Sequence, residues 1–226
     1  EALKLSYQDL DGLLTLPLSK KHVQAAGYTE FVGHTELLED HFGTDGVMTF
    51  FGSSMVVALL TRHCPLREVP ERVTGEEIRW TVRTITSFYE KKRDRKPSVA
   101  VLGLNPHAGE DGALGTMERD VMSPALEELR DDGYDVSGPY PADSYLPVHG
   151  EEADVILAPY HDQGLVPFKQ KHFFDGVHAT LGLPIARVSP DHGVAAEVAP
   201  TGSVDSTSTL NGLRWLRGDP LRSHRE

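Results

Sequence analysis

Three stretches decide the fold: Val-Val-Ala-Leu-Leu-Thr-Arg-His at 56–63, Ser-Val-Ala-Val-Leu-Gly-Leu-Asn-Pro-His at 98–107, and Ala-Asp-Val-Ile-Leu-Ala-Pro-Tyr-His at 153–161. Each is a continuous apolar run rich in Val, Leu and Ile. Such runs read as strands buried on both faces of a mainly parallel α/β sheet. Each also ends in a histidine: His63, His107 and His161. In open α/β sheets ligands bind beyond the carboxyl ends of the strands. One histidine after a strand is more often a turn residue or a capped core residue. Three, each followed by a turn-rich segment, form a candidate facial set for a divalent metal with open positions for substrate.

Working outward, the spacing alternates strands and helices. Strands are expected at 13–16, 47–51, 55–61, 98–104, 153–158, 177–180 and 185–188. Helices are expected at 2–8, 21–26, 34–41, 70–93, 118–130 and 207–216. The basic end of the 70–93 segment suits a helix C-terminus. Alternation of this kind implies βαβ units. The chain opens within an apparent helix, as if an upstream region were missing.

With 226 residues, 39% hydrophobic and 25% charged, the chain has the composition of an ordinary globular protein of one large or two small domains. No run is apolar enough for a membrane span and no leader pattern opens the chain. The single cysteine, Cys64, excludes an internal disulfide framework and suits a reducing cytoplasm. Beside His63 it reads as a small buried thiol rather than a nucleophile. A net charge of −12 disfavours nucleic acid and anionic membrane as partners. It leaves small anions open, because a local pocket of basic groups and helix N-termini binds phosphate inside an acidic protein.

Several further groups carry candidate chemistry. His34 and Thr35 stand at a helix start, where free N–H groups favour an anion; a plain N-cap is the bland reading. Lys169 and Arg187 are candidate clamps for phosphate or carboxylate, though each in isolation is more often a surface charge. Asp143 and Asp162 are candidates for metal binding, for orienting a ligating histidine, or for proton transfer. Asp191-His192-Gly193 reads foremost as a capped turn. Gly109, Gly112 and Gly115 follow a strand but lack the G-x-G start of a dinucleotide fingerprint; they suit a phosphate-binding or lid loop.

Taken together, the chain resembles the 4-hydroxythreonine-4-phosphate dehydrogenase (PdxA) family of pyridoxal phosphate biosynthesis. The matching pieces are Ala-Gly-Tyr-Thr-Glu-Phe-Val-Gly-His-Thr-Glu at 26–36, Gly-Leu-Asn-Pro-His-Ala-Gly-Glu at 103–110 and Gly-Pro-Tyr-Pro-Ala-Asp at 138–143. Tyr-His-Asp-Gln-Gly at 160–164, Thr-Leu-Gly-Leu-Pro at 180–184 and Ser-Pro-Asp-His-Gly at 189–193 complete the set, in family order. The resemblance implies a metal on His63, His107 and His161. It implies substrate contacts at His34, Thr35, Lys169, His178 and Arg187, with His178 standing where the family has asparagine. It further implies NAD or NADP, a divalent metal (Zn, Mg, Mn or Co), and a homodimer sharing the metal site across its interface.

The implied subunit has two α/β domains flanking a cleft. Residues 1–27 and 199–226 would be the remnant of the first domain, and 28–198 the second, metal-bearing one. The implied reaction oxidises the C3 hydroxyl of 4-phosphooxy-L-threonine; the resulting 3-keto acid loses CO2 to give 3-amino-2-oxopropyl phosphate. Asp143, Asp162 and Lys169 are the candidate catalytic residues. Rival readings keep the chemistry on 4-phospho-D-erythronate or 4-phospho-D-threonate, or make the chain a non-catalytic metal- or phosphate-binding module. A metal-dependent hydrolase also accommodates three histidines.

Overall fold

The computed structural model describes residues 10–194, 196, 200, 202 and 204–224. The helix expected at 2–8 lies outside the described residues. In chain order the elements are β1 (Leu13–Leu14), α1 (Lys20–Ala25), α2 (His34–Phe42), β2 (Val47–Phe51), β3 (Val56–Leu59), α3 (Val69–Arg72), α4 (Gly75–Arg93) and β4 (Val99–Leu102). There follow α5 (Ser123–Asp131), β5 (Val136–Tyr140), α6 (Ala142–His149), β6 (Val155–Ala158), α7 (His161–His172), β7 (Val177–Leu181), β8 (Arg187–Pro190) and α8 (Thr207–Arg217). This is the mixed α/β fold expected. The chain forms two compact units: Glu1–Gly46, Phe50–Ser53 and His172–Glu226 make the first, and Val47–Thr49 with Ser54–Lys171 the second.

In the second unit β3, β6, β4 and β5 are neighbours in that order, and every pairing is parallel. The three opening stretches therefore lie side by side. Val57, Ala58, Val101, Leu102, Val155 and Leu157 are all buried, as strands covered on both faces must be. α4 buries Ile78, Val82, Ile85 and Tyr89 along one stripe. Thr74 caps it by accepting from Glu77 N at 3.1 Å, with Glu76 and Glu77 in the first turn and Lys91, Lys92 and Arg93 in the last.

The single helix expected over 70–93 is broken. Pro70 sits in the first turn of the short α3, then Val73 and Thr74 turn extended so that the threonine hydroxyl can cap α4. The helix expected at 118–130 likewise starts as a wide π-type turn, Glu118–Met122, before regular α5 with Pro124 in its first turn. β5, α6 and α7 have no counterpart in the expected elements.

In the first unit β1 pairs parallel with β8, and β8 pairs antiparallel with β7. α8 lies on this sheet through Gly212, where an added Cβ would stand 2.8 Å from Leu14 Cδ1. Buried Asn211 donates to the carbonyls of Asp175 and Arg222 and accepts from Arg222 N, which fastens the chain end to the sheet. His172 and Asp175, both buried, pair at 3.1 Å, and Ser53 donates to the same carboxylate. Among the described residues no helix is long and apolar enough to cross a membrane.

Candidate active site

Arg187 opens β8 and is 3% exposed. Its guanidinium donates to Thr15 Oγ1 through Nε and Nη2 (3.1 and 2.8 Å). Nη1 donates to Thr180 Oγ1 (3.1 Å), Thr35 Oγ1 (3.4 Å) and His178 Nδ1 (3.4 Å). Guanidinium can only donate, so His178 accepts on Nδ1 and carries its proton on Nε2. The His178 ring is stacked on Phe50, centroids 5.0 Å apart. Every one of these hydrogen-bond partners is neutral. Burial lowers the arginine's pKa to about 10, opposed only by the field of Glu36. Among the described residues no carboxylate pairs with this cation; such burial is costly, and an anion would offset it.

The surroundings agree with that role. α2 begins at His34 with Gly33 as N-cap and no side-chain cap, so its first N–H groups are available to a ligand. Thr35 puts the guanidinium at this helix start. Burial and, secondarily, Arg187 hold the His34 pKa below its ordinary value, with Glu36 opposing, so the imidazole is neutral at pH 7 and can donate without adding charge. His34, Thr35, His178 and Arg187 thus meet in one unit. Thr15 and Thr180 complete the cluster and were not singled out in the sequence. Thr180 stands opposite Arg187 in the β7–β8 register, a pairing that only the sheet reveals.

In the second unit the rings of His63 and His161 lie 5.5 Å apart, centroid to centroid. His161 Nδ1 is 2.8 Å from Asp162 Oδ1. This pairing places the proton on Nδ1 and leaves the Nε2 lone pair for a cation, the arrangement typical of metal-ligating histidines. α7 can bring His161 there because Gly164 sits directly on the strands. A Cβ at that position would fall 2.7 Å from Val57 Cγ1 and 3.1 Å from both Ala158 Cβ and Leu59 Cδ2. Gln163 then donates to Gly103 O at 2.8 Å, tying α7 to the end of β4.

His107 is exposed on the turn after β4. Among the described residues no group of three or more His, Cys, Asp or Glu is close enough to hold a metal. The donor chemistry of His63 and the Asp162-supported His161 fits a divalent transition metal, and one chain brings two of the three candidates together. Asp143 is exposed in the first turn of α6, and Lys169 is half-buried on α7. Gly109, Gly112 and Gly115 all have positive φ. Gly109 is buried against Glu118, so this glycine serves close packing inside a turn.

Parallel strands followed by histidines in one unit, and in the other a buried arginine among hydroxyls and an imidazole, define an α/β protein. More narrowly, the chain belongs to the PdxA family: the family model described as pyridoxal phosphate biosynthetic protein PdxA matches residues 2–216. Two relatives named 4-hydroxythreonine-4-phosphate dehydrogenase illustrate the match. That of Aquifex aeolicus is 43% identical over 209 residues, covering 92% of this chain and 65% of its own. That of Xanthomonas campestris is 45% identical over 203 residues, covering 89% and 63%. The crystal structure of 4-hydroxythreonine-4-phosphate dehydrogenase from Klebsiella pneumoniae superposes with a TM-score of 0.79 at 34% identity, over 92% of this chain and 63% of that one. The chain thus spans less than two thirds of the length of these relatives.

Proposed function

We propose that the chain is a metal-dependent NAD(P) oxidoreductase. It would oxidise the C3 hydroxyl of 4-phosphooxy-L-threonine, with decarboxylation to 3-amino-2-oxopropyl phosphate, in pyridoxal phosphate biosynthesis. The observation that carries this reading is Arg187, a buried cation surrounded by hydroxyls and imidazole and, among the described residues, lacking a carboxylate partner. It fits the phosphate end of such a substrate, and relatives covering nine-tenths of the chain bear the corresponding name.

On this reading Arg187, Thr35 and the α2 N-terminus bind phosphate oxygens. His34 donates from a neutral ring, and His178 stands beside Arg187 where the family's asparagine would be. Lys169 would hold the carboxylate. His63, His107 and His161 would hold the divalent metal (Zn, Mg, Mn or Co). A second copy of the chain would complete the set, since one chain groups only two of the three. Asp162 keeps His161 in the ligating tautomer, and Asp143, exposed at its helix start, would exchange protons with solvent. When bound, the metal would supply Lewis acidity at the hydroxyl and NAD or NADP the hydride acceptor. Residues 1–27 and 199–226 would belong to the family's first domain and 28–198 to its second, and a cytoplasmic setting suits the single cysteine.

The test is NADH or NADPH formation by the 226-residue chain given 4-phosphooxy-L-threonine, either oxidised dinucleotide and Zn²⁺, Mg²⁺, Mn²⁺ or Co²⁺, with a chelator control. Chelator-sensitive turnover is the expected result. Turnover on 4-phospho-D-erythronate alone would move the substrate assignment. Phosphate release without dinucleotide would sink the oxidoreductase reading in favour of a hydrolase.

A further inference from the structure

The turn that carries His107 is wound the wrong way for L-amino acids. Five consecutive residues, His107, Ala108, Gly109, Glu110 and Asp111, have φ of 52, 49, 82, 44 and 53°. Four of them carry a Cβ, which in left-handed backbone crowds the following carbonyl. A run of this kind persists only where its surroundings over-determine it, and such places are commonly functional. At its edges the turn is tied by Ala108 N to Asn105 O, Ala113 N to Glu110 O and Leu114 N to Gly109 O.

Side-chain support comes from Glu118, a carboxylate 4% exposed. Its Oε1 accepts from Asn105 N at 2.6 Å and its Oε2 from Asn105 Nδ2 at 2.9 Å. The space around this pair is filled by backbone. A Cβ on Gly109 would fall 2.7 Å from Glu118 Oε2 and 2.8 Å from Gly115 O. One on Gly115 would fall 2.5 Å from Asn105 Nδ2, and one on Gly103 3.3 Å from Glu118 Oε1. Gly103 is also the residue whose carbonyl accepts from Gln163, two residues beyond His161. The clasp therefore joins the end of β4, the left-handed turn and the helix bearing His161.

We propose that Glu118 is a positioning residue. By gripping Asn105 on both backbone and side chain, it holds the left-handed turn that presents His107. The proposal rests on the reading of His107 as a metal ligand only for its consequence, not for the grip itself.

Amide hydrogen exchange, with affinities for Zn²⁺ and inorganic phosphate, is measured on wild type, Glu118→Ala and Glu118→Gln. In Glu118→Ala the amides of residues 105–115 exchange at least tenfold faster while those of α4 and α8 keep their rates. Zn²⁺ binds roughly ten- to a hundredfold more weakly, the range for loss of a ligand's supporting contacts, and phosphate affinity stays within about twofold. Glu118→Gln, whose oxygen still accepts from Asn105 N while a flipped Asn105 amide meets its nitrogen, recovers most of both losses. Unchanged exchange over 105–115 in a folded Glu118→Ala overturns the proposal. So does an acceleration spread evenly over the chain, which would mark a general structural role. If wild type binds no Zn²⁺, the exchange result still decides the grip, and the metal reading alone falls. If Glu118→Ala does not fold, Asn105→Ala removes the side-chain half of the clasp from a half-buried position and is judged by the same exchange criterion.

Discussion

Replacing Arg187 by Met separates ligand binding from folding. Burial has moved the guanidinium's pKa from its ordinary value down to about 10. At about 1.4 kcal/mol per pKa unit, the charged form carries a desolvation cost of roughly 3 kcal/mol. Methionine removes that cost. It also removes the bonds to Thr15, Thr35, Thr180 and His178, whose net worth is of the same size at about 1 kcal/mol apiece. The two nearly cancel. Arg187→Met should therefore change stability by no more than about 1–2 kcal/mol, or roughly 6 °C in Tm at 2–4 °C per kcal/mol. Removing one member of a true buried ion pair would cost about 3–5 kcal/mol.

The ligand effect should be opposite in character. Inorganic phosphate at a hundred times its Kd stabilises a folded protein by about 2.7 kcal/mol, which raises the wild-type Tm by roughly 5–10 °C. In Arg187→Met that rise should vanish. The assay is a thermal melt of both proteins with and without phosphate at fixed ionic strength, using chloride as control. A variant that melts far below wild type without ligand would show the guanidinium to be structural. A phosphate shift that survives the substitution would place the anion elsewhere. Either result refutes the reasoning.

Three other perturbations follow. His34 has a folded pKa below that of the unfolded chain, so its contribution to stability is present above about pH 6.5 and is lost as pH falls through the folded value. Its NMR titration midpoint should lie below 6.5 and rise when phosphate binds, and His34→Gln should flatten the acid side of the stability profile. Gly164→Ala would gain helix propensity in an open helix, but here the new methyl meets Val57, Leu59 and Ala158; chemical denaturation should show a loss of about 1–3 kcal/mol. Asp154 is held below its ordinary pKa chiefly by its paired bonds to Arg95, 2.6 Å each. Its contribution is therefore present above the unfolded carboxylate value and lost as pH falls through the folded one. Asp154→Asn should cost about 1 kcal/mol at pH 7, given the pair's partial exposure, with the gap to wild type narrowing as pH falls below the ordinary carboxylate range.

What could be read from the sequence was what is local and periodic. β3, β4 and β6 announce themselves as apolar runs, α4 by its stripe and caps, and His63 and His161 by standing just beyond their strands. What could not be read depends on residues that break structure in isolation. β5 contains Gly138 and Pro139, admitted at the last position in the strand order, where a missing N–H matters least. α6 contains Pro147, and α7 contains Gly164 and Pro167. Each lowers helix propensity, and Gly164 answers to close contact with the strands, which no window of sequence displays. The left-handed turn at His107 was hidden for the converse reason: four of its five residues are ones that ordinarily avoid that conformation.

The buried charges of Arg187 and Glu118 share one device, and it explains why neither had a signature. Arg187 is solvated by threonine hydroxyls and an imidazole, and Glu118 by the two N–H groups of a single asparagine. Among the described residues neither has a counter-ion; had one been present, charge pairing along the chain would have hinted at it. A counter-ion would also have worked against each role. A carboxylate on Arg187 would compete with an incoming anion, and affinity would fall by whatever it takes to displace it. A cation on Glu118 would draw the carboxylate off Asn105 and slacken the turn. Neutral dipoles stabilise the buried charge without saturating it: the arginine stays open to a ligand, and the glutamate stays committed to one stretch of backbone.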